Sequence, residues 1–206
     1  MKKKRRLALF GGTFDPIHLG HTAVAAHAGR QLAAEAVVFI PARRSPHKSA
    51  FPAATDADRV SMIALAIADH PGWQVSDCEL NRPAPSYTLD TIRHFKTQCG
   101  DDATIYWLIG ADAVRDLPYW HAIDQLLDLC TITAMYRAGC PRPDFSPFAG
   151  LWGTEHVKRL HDQVIETPLV DISSTLVRQR LAAGQDVSDV LHPAVLEYIQ
   201  RRGLYR

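Results

Sequence analysis

Leu7-Ala8-Leu9-Phe10-Gly11-Gly12-Thr13-Phe14-Asp15-Pro16-Ile17-His18-Leu19-Gly20-His21 follows a basic start, residues 2–6. Residues 7–10 are an apolar run stopped by two glycines, the pattern of a short buried strand. After Pro16 an alanine-rich stretch reaches Ala34 and reads as a helix. A second apolar run, 36–40, then stops at Pro41. Strand, turn, helix and strand within about 35 residues make a βαβ unit, and a βαβ unit implies a parallel sheet.

The alternation continues outward. A helix is predicted over 56–69, a strand over 74–80, a loop over 81–85 and a helix over 86–97. A strand over 104–109 ends at Gly110, followed by a helix over 120–129 and a strand over 131–136. Residues 137–147 carry Pro141, Pro143 and Pro147 and read as a surface excursion. Residues 164–166 read as a short strand, and 174–183 as a helix closed by Gly184. Pro193 and Gly203 frame a final helix, at its first turn and its cap. The sequence predicts one domain over 1–206, a doubly wound parallel α/β sheet of Rossmann-like type with a helical C-terminal part.

Composition supports this class and demotes others. The 206 residues are 47% hydrophobic and 22% charged, with 23 Lys plus Arg against 22 Asp plus Glu, a formal net charge of +1. Gly and Pro are near average usage, against collagen-like and disordered chains. A balanced charge disfavours bulk electrostatic binding of nucleic acid. The basic start, residues 2–6, precedes only four apolar residues, too few for a signal-peptide core. No run approaches the roughly 18 apolar residues of a spanning helix. Cys78, Cys99, Cys130 and Cys140 show no C-x-x-C pairing, so reduced thiols in a cytoplasmic protein are expected.

In an open α/β sheet the ligand sits beyond the carboxyl ends of the strands, against a helix N-terminus. The first junction carries neither G-x-G-x-x-G nor G-x-x-x-x-G-K-[ST]. It carries His18 and His21, three apart on one face of a helical first turn. Imidazole donors beside free N–H groups, with Gly20 leaving room, suit a phosphate chain. The plainer alternative is one capping histidine and one surface histidine. Ile172-Ser173-Ser174-Thr175-Leu176-Val177-Arg178 is either an ordinary N-cap with a surface arginine or a second phosphate cradle. Ser45-Pro46-His47-Lys48 is a loop after the second strand, solvent-facing when read alone.

Together these motifs resemble the H-x-G-H nucleotidyltransferase superfamily. With Ser86-Tyr87-Thr88-Leu89-Asp90-Thr91, Ile109-Gly110-Ala111-Asp112, Trp120, and Tyr198-Ile199 before Gly203-Leu204-Tyr205, the set is similar to the bacterial nicotinate-mononucleotide adenylyltransferases. The likeness runs over nearly the whole chain. It implies transfer of the adenylyl group of ATP to nicotinate mononucleotide, with release of pyrophosphate. The attacking group is a phosphate monoester, already largely dianionic near neutrality, so no general base is needed. Charge on the leaving group and repulsion between anions are what must be overcome.

On this resemblance His18, His21, Lys48 and Arg178 are the expected catalytic groups. Gly11, Gly12, Thr13, Phe14, Gly110, Asp112, Ser173, Ser174 and Thr175 are expected to bind ATP and its phosphates. Tyr87, Thr88, Tyr119 and Trp120 are expected around the nicotinate mononucleotide, with Trp120 as stacking platform and Thr88 meeting the carboxylate. Asp112 could equally be a helix cap, and Trp120 a core residue. Mg²⁺ is expected to arrive with ATP, without a permanent protein cage or other metal site. A homodimer is allowed but not required; nucleic acid and membrane partners are not expected. Arg59 is read only as part of a solvated helix face. A pantetheine-phosphate adenylyltransferase and a catalytically silent nucleotide-binding regulator remain as alternatives.

Overall fold

The computed structural model describes residues 5–44, 51–100 and 102–206. Six strands form one parallel sheet: β1 (Arg6–Gly12), β2 (Ala36–Pro41), β3 (Trp73–Val75), β4 (Thr104–Gly110), β5 (Thr131–Arg137) and β6 (Val164–Thr167). Their order across the sheet is β3-β2-β1-β4-β5-β6. β1 pairs with β2 on one side and β4 on the other, Leu9 lying between Val38 and Trp107. The strand order therefore reverses between β1 and β4, which opens a crevice at their carboxyl ends.

Both faces of this sheet are covered, so the central strands β1, β2 and β4 are apolar runs between their ends and do not alternate with polar residues. Ala8 and Phe10 point to a core shared with helices α1 (Leu19–Gln31), α2 (Asp56–Ile67), α6 (Ser174–Ala182) and α7 (Pro193–Arg202). Leu7 and Leu9 point to the opposite core, closed by α3 (Thr88–Cys99), α4 (Ile123–Leu129) and α5 (Ala149–Asp162). Thr55 caps α2 by accepting from Asp58 N, and Ser173 caps α6 by accepting from Leu176 N. Pro193 opens α7 and Gly203, at φ 64°, ends it in the left-handed conformation that glycine tolerates.

Several predicted boundaries shift. β3 stops at Val75, because Asp77 and Glu79 carbonyls there accept turn bonds from Leu80, Asn81 and Arg82. The helix predicted over 120–129 starts at Ile123, and a 3₁₀ segment, Ala111–Tyr119, fills the space after β4. α5 was not visible in the sequence: Gly153, at φ 77°, breaks its periodicity. Arg59 is not on a solvated face. It is 0% exposed, and its guanidinium donates to Thr13 O at 2.8 Å and to Asp56 Oδ1 at 2.6 Å. The helical rows i, i+3 and i+4 that bury Met62 and Ile63 turn Arg59 inward as well. Ser45, Pro46, His47 and Lys48 lie outside the described residues.

Candidate active site

Two cavities open at the crevice between β1 and β4. The larger, about 1030 Å³, is bordered by His18, Gly20, His21, Ser173, Ser174, Thr175 and Arg178. The smaller, about 330 Å³, is bordered by Tyr87, Thr88, Trp107, Trp120 and His121. Phe10, Thr13, Gly110 and Asp112 border both. The two spaces therefore meet over the ends of the two central strands.

In the larger cavity the histidine pair is built by the start of α1. His18 is the N-cap residue, in extended conformation, and its backbone N–H donates to His21 Nδ1 at 3.2 Å. That bond fixes Nδ1 of His21 as an acceptor and leaves Nε2 to carry the proton of the neutral ring. The rings stack at 3.6 Å between centroids. Phe14 packs edge-on against His21 at 5.0 Å and is itself buried, bordering neither cavity, so it supports the histidine and does not line the junction. A Cβ on Gly20 would come within 3.0 Å of His18 Nδ1, so glycine there makes room for the imidazole itself. His18 is 6% exposed and its Nδ1 is buried without a partner among the described residues. Burial lowers its pKa to about 4, only partly offset by a backbone hydrogen bond, so the ring is neutral near pH 7.

Arg178 reaches the same space from the second turn of α6. It donates to Asp15 O at 2.7 Å and to Thr175 Oγ1 at 3.3 Å. Ser173 performs the plain capping role, and the Ser174 hydroxyl donates to Pro16 O at 2.9 Å. The late Ser-Ser-Thr motif thus caps α6 and borders the larger cavity at once. Gly11 and Gly12 border the smaller cavity only. A Cβ on Gly11 would sit 2.5 Å from the Trp107 ring, and one on Gly110 would collide with Asp112 Oδ1.

The smaller cavity is aromatic and faces the N-terminus of α3. Tyr87 is the N-cap of that helix and Thr88 its first residue. Tyr87 stacks on His121 at 4.3 Å between centroids. Trp120 is half-buried on the lining. Tyr119 departs from the expectation: it ends the 3₁₀ segment pointing outward, 82% exposed, and borders neither cavity. Glu79 also lines this space; burial raises its pKa, against the hydrogen bonds of Thr91 and Ser86. Glu79 and His121 were missed because single charged or aromatic residues in irregular segments carry no periodic signal, and Trp107 because it lies in a strand whose apolar run reads as core.

A doubly wound parallel sheet with helix N-termini and basic side chains turned to its switch point defines a nucleotide-binding α/β protein. More particularly, the chain belongs to the cytidylyltransferase-like family, whose model matches residues 9–180. It is 37% identical over 204 residues to the "Probable nicotinate-nucleotide adenylyltransferase" of Synechococcus sp. (strain JA-3-3Ab), covering 98% of this chain and 96% of that one. It is 39% identical over 202 residues to the protein of the same description from Moorella thermoacetica, covering 98% and 92%. Among solved structures it is similar to the Plasmodium falciparum nicotinic acid mononucleotide adenylyltransferase complexed with NaAD, with TM-score 0.72 and 19% identity over 98% of this chain and 97% of that one.

Proposed function

We propose that the chain transfers the adenylyl group of ATP to nicotinate mononucleotide, giving nicotinate adenine dinucleotide and pyrophosphate. The observation that carries this reading is the meeting of two unlike cavities at Thr13, Gly110 and Asp112. One offers cationic and N–H donors to a polyphosphate. The other offers aromatic rings and a helix N-terminus to a ring bearing a carboxylate. A phosphate oxygen of the mononucleotide attacks the α-phosphorus of ATP in line. One P–O bond forms, the bond to the bridging oxygen breaks, and its electron pair leaves with pyrophosphate.

His18 and His21 steady the α-phosphate as charge shifts, Arg178 and the start of α6 hold the leaving phosphates, and Asp112 stands at the junction. Thr88 and Trp120 seat the pyridine. Lys48 is the further cation this reading assigns. Among the described residues no group of three or more His, Cys, Asp or Glu is set to hold a metal. Asp112 stands at the shared rim, where Mg²⁺ would arrive as a companion of ATP. It would spread the negative charge of the phosphates. Among the described residues no helix is long and apolar enough to cross a membrane.

The test is pyrophosphate release from Mg²⁺-ATP with nicotinate mononucleotide, nicotinamide mononucleotide or phosphopantetheine at equal concentration. Rapid release with the first alone supports the reading. Release chiefly with another acceptor sinks the pyridine assignment and spares the phosphate site. ATP binding without release from any acceptor favours the regulator.

A further inference from the structure

We propose that Tyr205 is a positioning residue for ATP: by occupying the Asp15 carboxylate it keeps Arg178 free for the phosphates. The proposal rests on the reading of the larger cavity as the ATP site. Asp15 is 4% exposed, so its charge must be met by partners inside the protein. Oδ2 accepts from Ala53 N at 2.7 Å. Oδ1 accepts from Ala54 N at 3.1 Å and from the Tyr205 hydroxyl at 2.6 Å. Arg178 Nη1 lies 4.0 Å from Oδ2, just beyond a direct bond, while the same nitrogen donates to the Asp15 carbonyl.

Asp15 and a bound phosphate are thus rivals for one guanidinium. The shortest hydrogen bond on the carboxylate is that of Tyr205, brought in from beyond α7. Burial, together with the charge and hydrogen bond of Asp15, pushes the Tyr205 hydroxyl well above the usual range for tyrosine. It remains protonated, and therefore a donor, at any working pH. Without that donor, Oδ1 keeps only the longer bond from Ala54, and the carboxylate gains most by turning to Arg178. The cation would then be neutralised before ATP arrives.

The test is calorimetric titration of the full chain with Mg²⁺-ATP. Tyr205→Phe should weaken binding about tenfold, the loss of one charge-assisted hydrogen bond. Asp15→Asn, which removes the rival charge, should bind within about threefold of the unaltered chain. Adding Tyr205→Phe to Asp15→Asn should then change nothing further. Tyr198→Phe, which removes a hydroxyl from Asp58 in the same C-terminal region, serves as the control and should leave ATP affinity unchanged. Pyrophosphate-release kinetics should show the KM for ATP rising in Tyr205→Phe while that for the mononucleotide stays put.

The proposal is overturned if Tyr205→Phe binds ATP as the unaltered chain does, or loses as much in the Asp15→Asn background. If Tyr205→Phe does not fold, a tenfold loss in Asp15→Asn alone also overturns it. Binding is read without turnover, so the two readings can fail separately. An unaltered chain that binds ATP but releases no pyrophosphate ends the functional reading and leaves Tyr205 to be decided by affinity. One that binds no ATP ends both.

Discussion

The imidazoles of His18 and His21 lie face to face, 3.6 Å between centroids and 20° from parallel. Such a pair holds one positive charge more readily than two, and the burial of His18 decides which ring resists protonation. On the proposed reading, an arriving phosphate chain would change the balance by supplying the missing counter-charge.

The histidine gives a pH dependence with a definite sign. In the folded chain His18 titrates at about 4, against 6.5 when unfolded, so between these values the unfolded state binds the extra proton. Stability contributed by neutral His18 is complete above pH 6.5 and is lost as pH falls toward 4, in total about 3 kcal/mol. Urea unfolding at pH 7.5 and 5 should show a smaller loss in His18→Asn than in the unaltered chain. An equal loss in both would assign the acid sensitivity elsewhere.

Arg59 should prove a structural residue with a catalytic consequence. Arg59→Met keeps much of the volume but leaves Thr13 O without its 2.8 Å donor. The expected cost is about 2 kcal/mol of stability, the loss of charge-assisted hydrogen bonds made by a fully buried guanidinium. Arg59→Lys should recover only part, since an ammonium cannot span Thr13 and Asp56 as the planar fork does. Thermal unfolding of the two variants checks both statements.

Thr88 should set the choice between acid and amide. Thr88→Val preserves shape and the backbone N–H at the start of α3 while removing the hydroxyl. The ratio of kcat/KM for nicotinate over nicotinamide mononucleotide should fall roughly tenfold, with the KM for ATP unmoved. A ratio that does not change would place the discrimination on the helix N-terminus alone.

Cys140 should be the thiol that reports occupancy. It is exposed and borders the larger cavity, whereas Cys78 and Cys130 are buried. Burial pushes the Cys130 thiol up to about 12, far from its reactive form. Maleimide followed by mass spectrometry should label Cys140 first, and Mg²⁺-ATP should slow that labelling. Unchanged labelling at saturating ATP would put the nucleotide elsewhere.

Much of the fold was legible because buried parallel strands are written as apolar runs and their crossovers begin and end on glycine, proline and hydroxyl residues. β1, β2, β4 and β5 fall within a residue or two of expectation for that reason. The ends of the site were legible as motifs: His18, His21, Ser174 and Arg178 converge across more than 150 positions of sequence. What failed was orientation. Tyr119 and Trp120 are adjacent, and only the geometry of the 3₁₀ segment sends one outward and the other to the cavity. Arg59 was misread because charge usually marks a wet face, and here its partner is a carbonyl two elements away.

Asp58 and Arg59, neighbours in the chain, are fastened in opposite directions. Arg59 holds the first junction, while Asp58 accepts from Tyr198 at 2.8 Å and from Arg202 at 3.2 Å on α7. In evolutionary terms this makes α2 a shared constraint. A lineage that loses both the Tyr198 hydroxyl and the Arg202 charge leaves the buried carboxylate with the Thr55 hydroxyl as its remaining side-chain donor among the described residues, which favours a compensating change at position 58. Aligned homologues should therefore show positions 58, 198 and 202 drifting as a set, and position 59 holding still while they do.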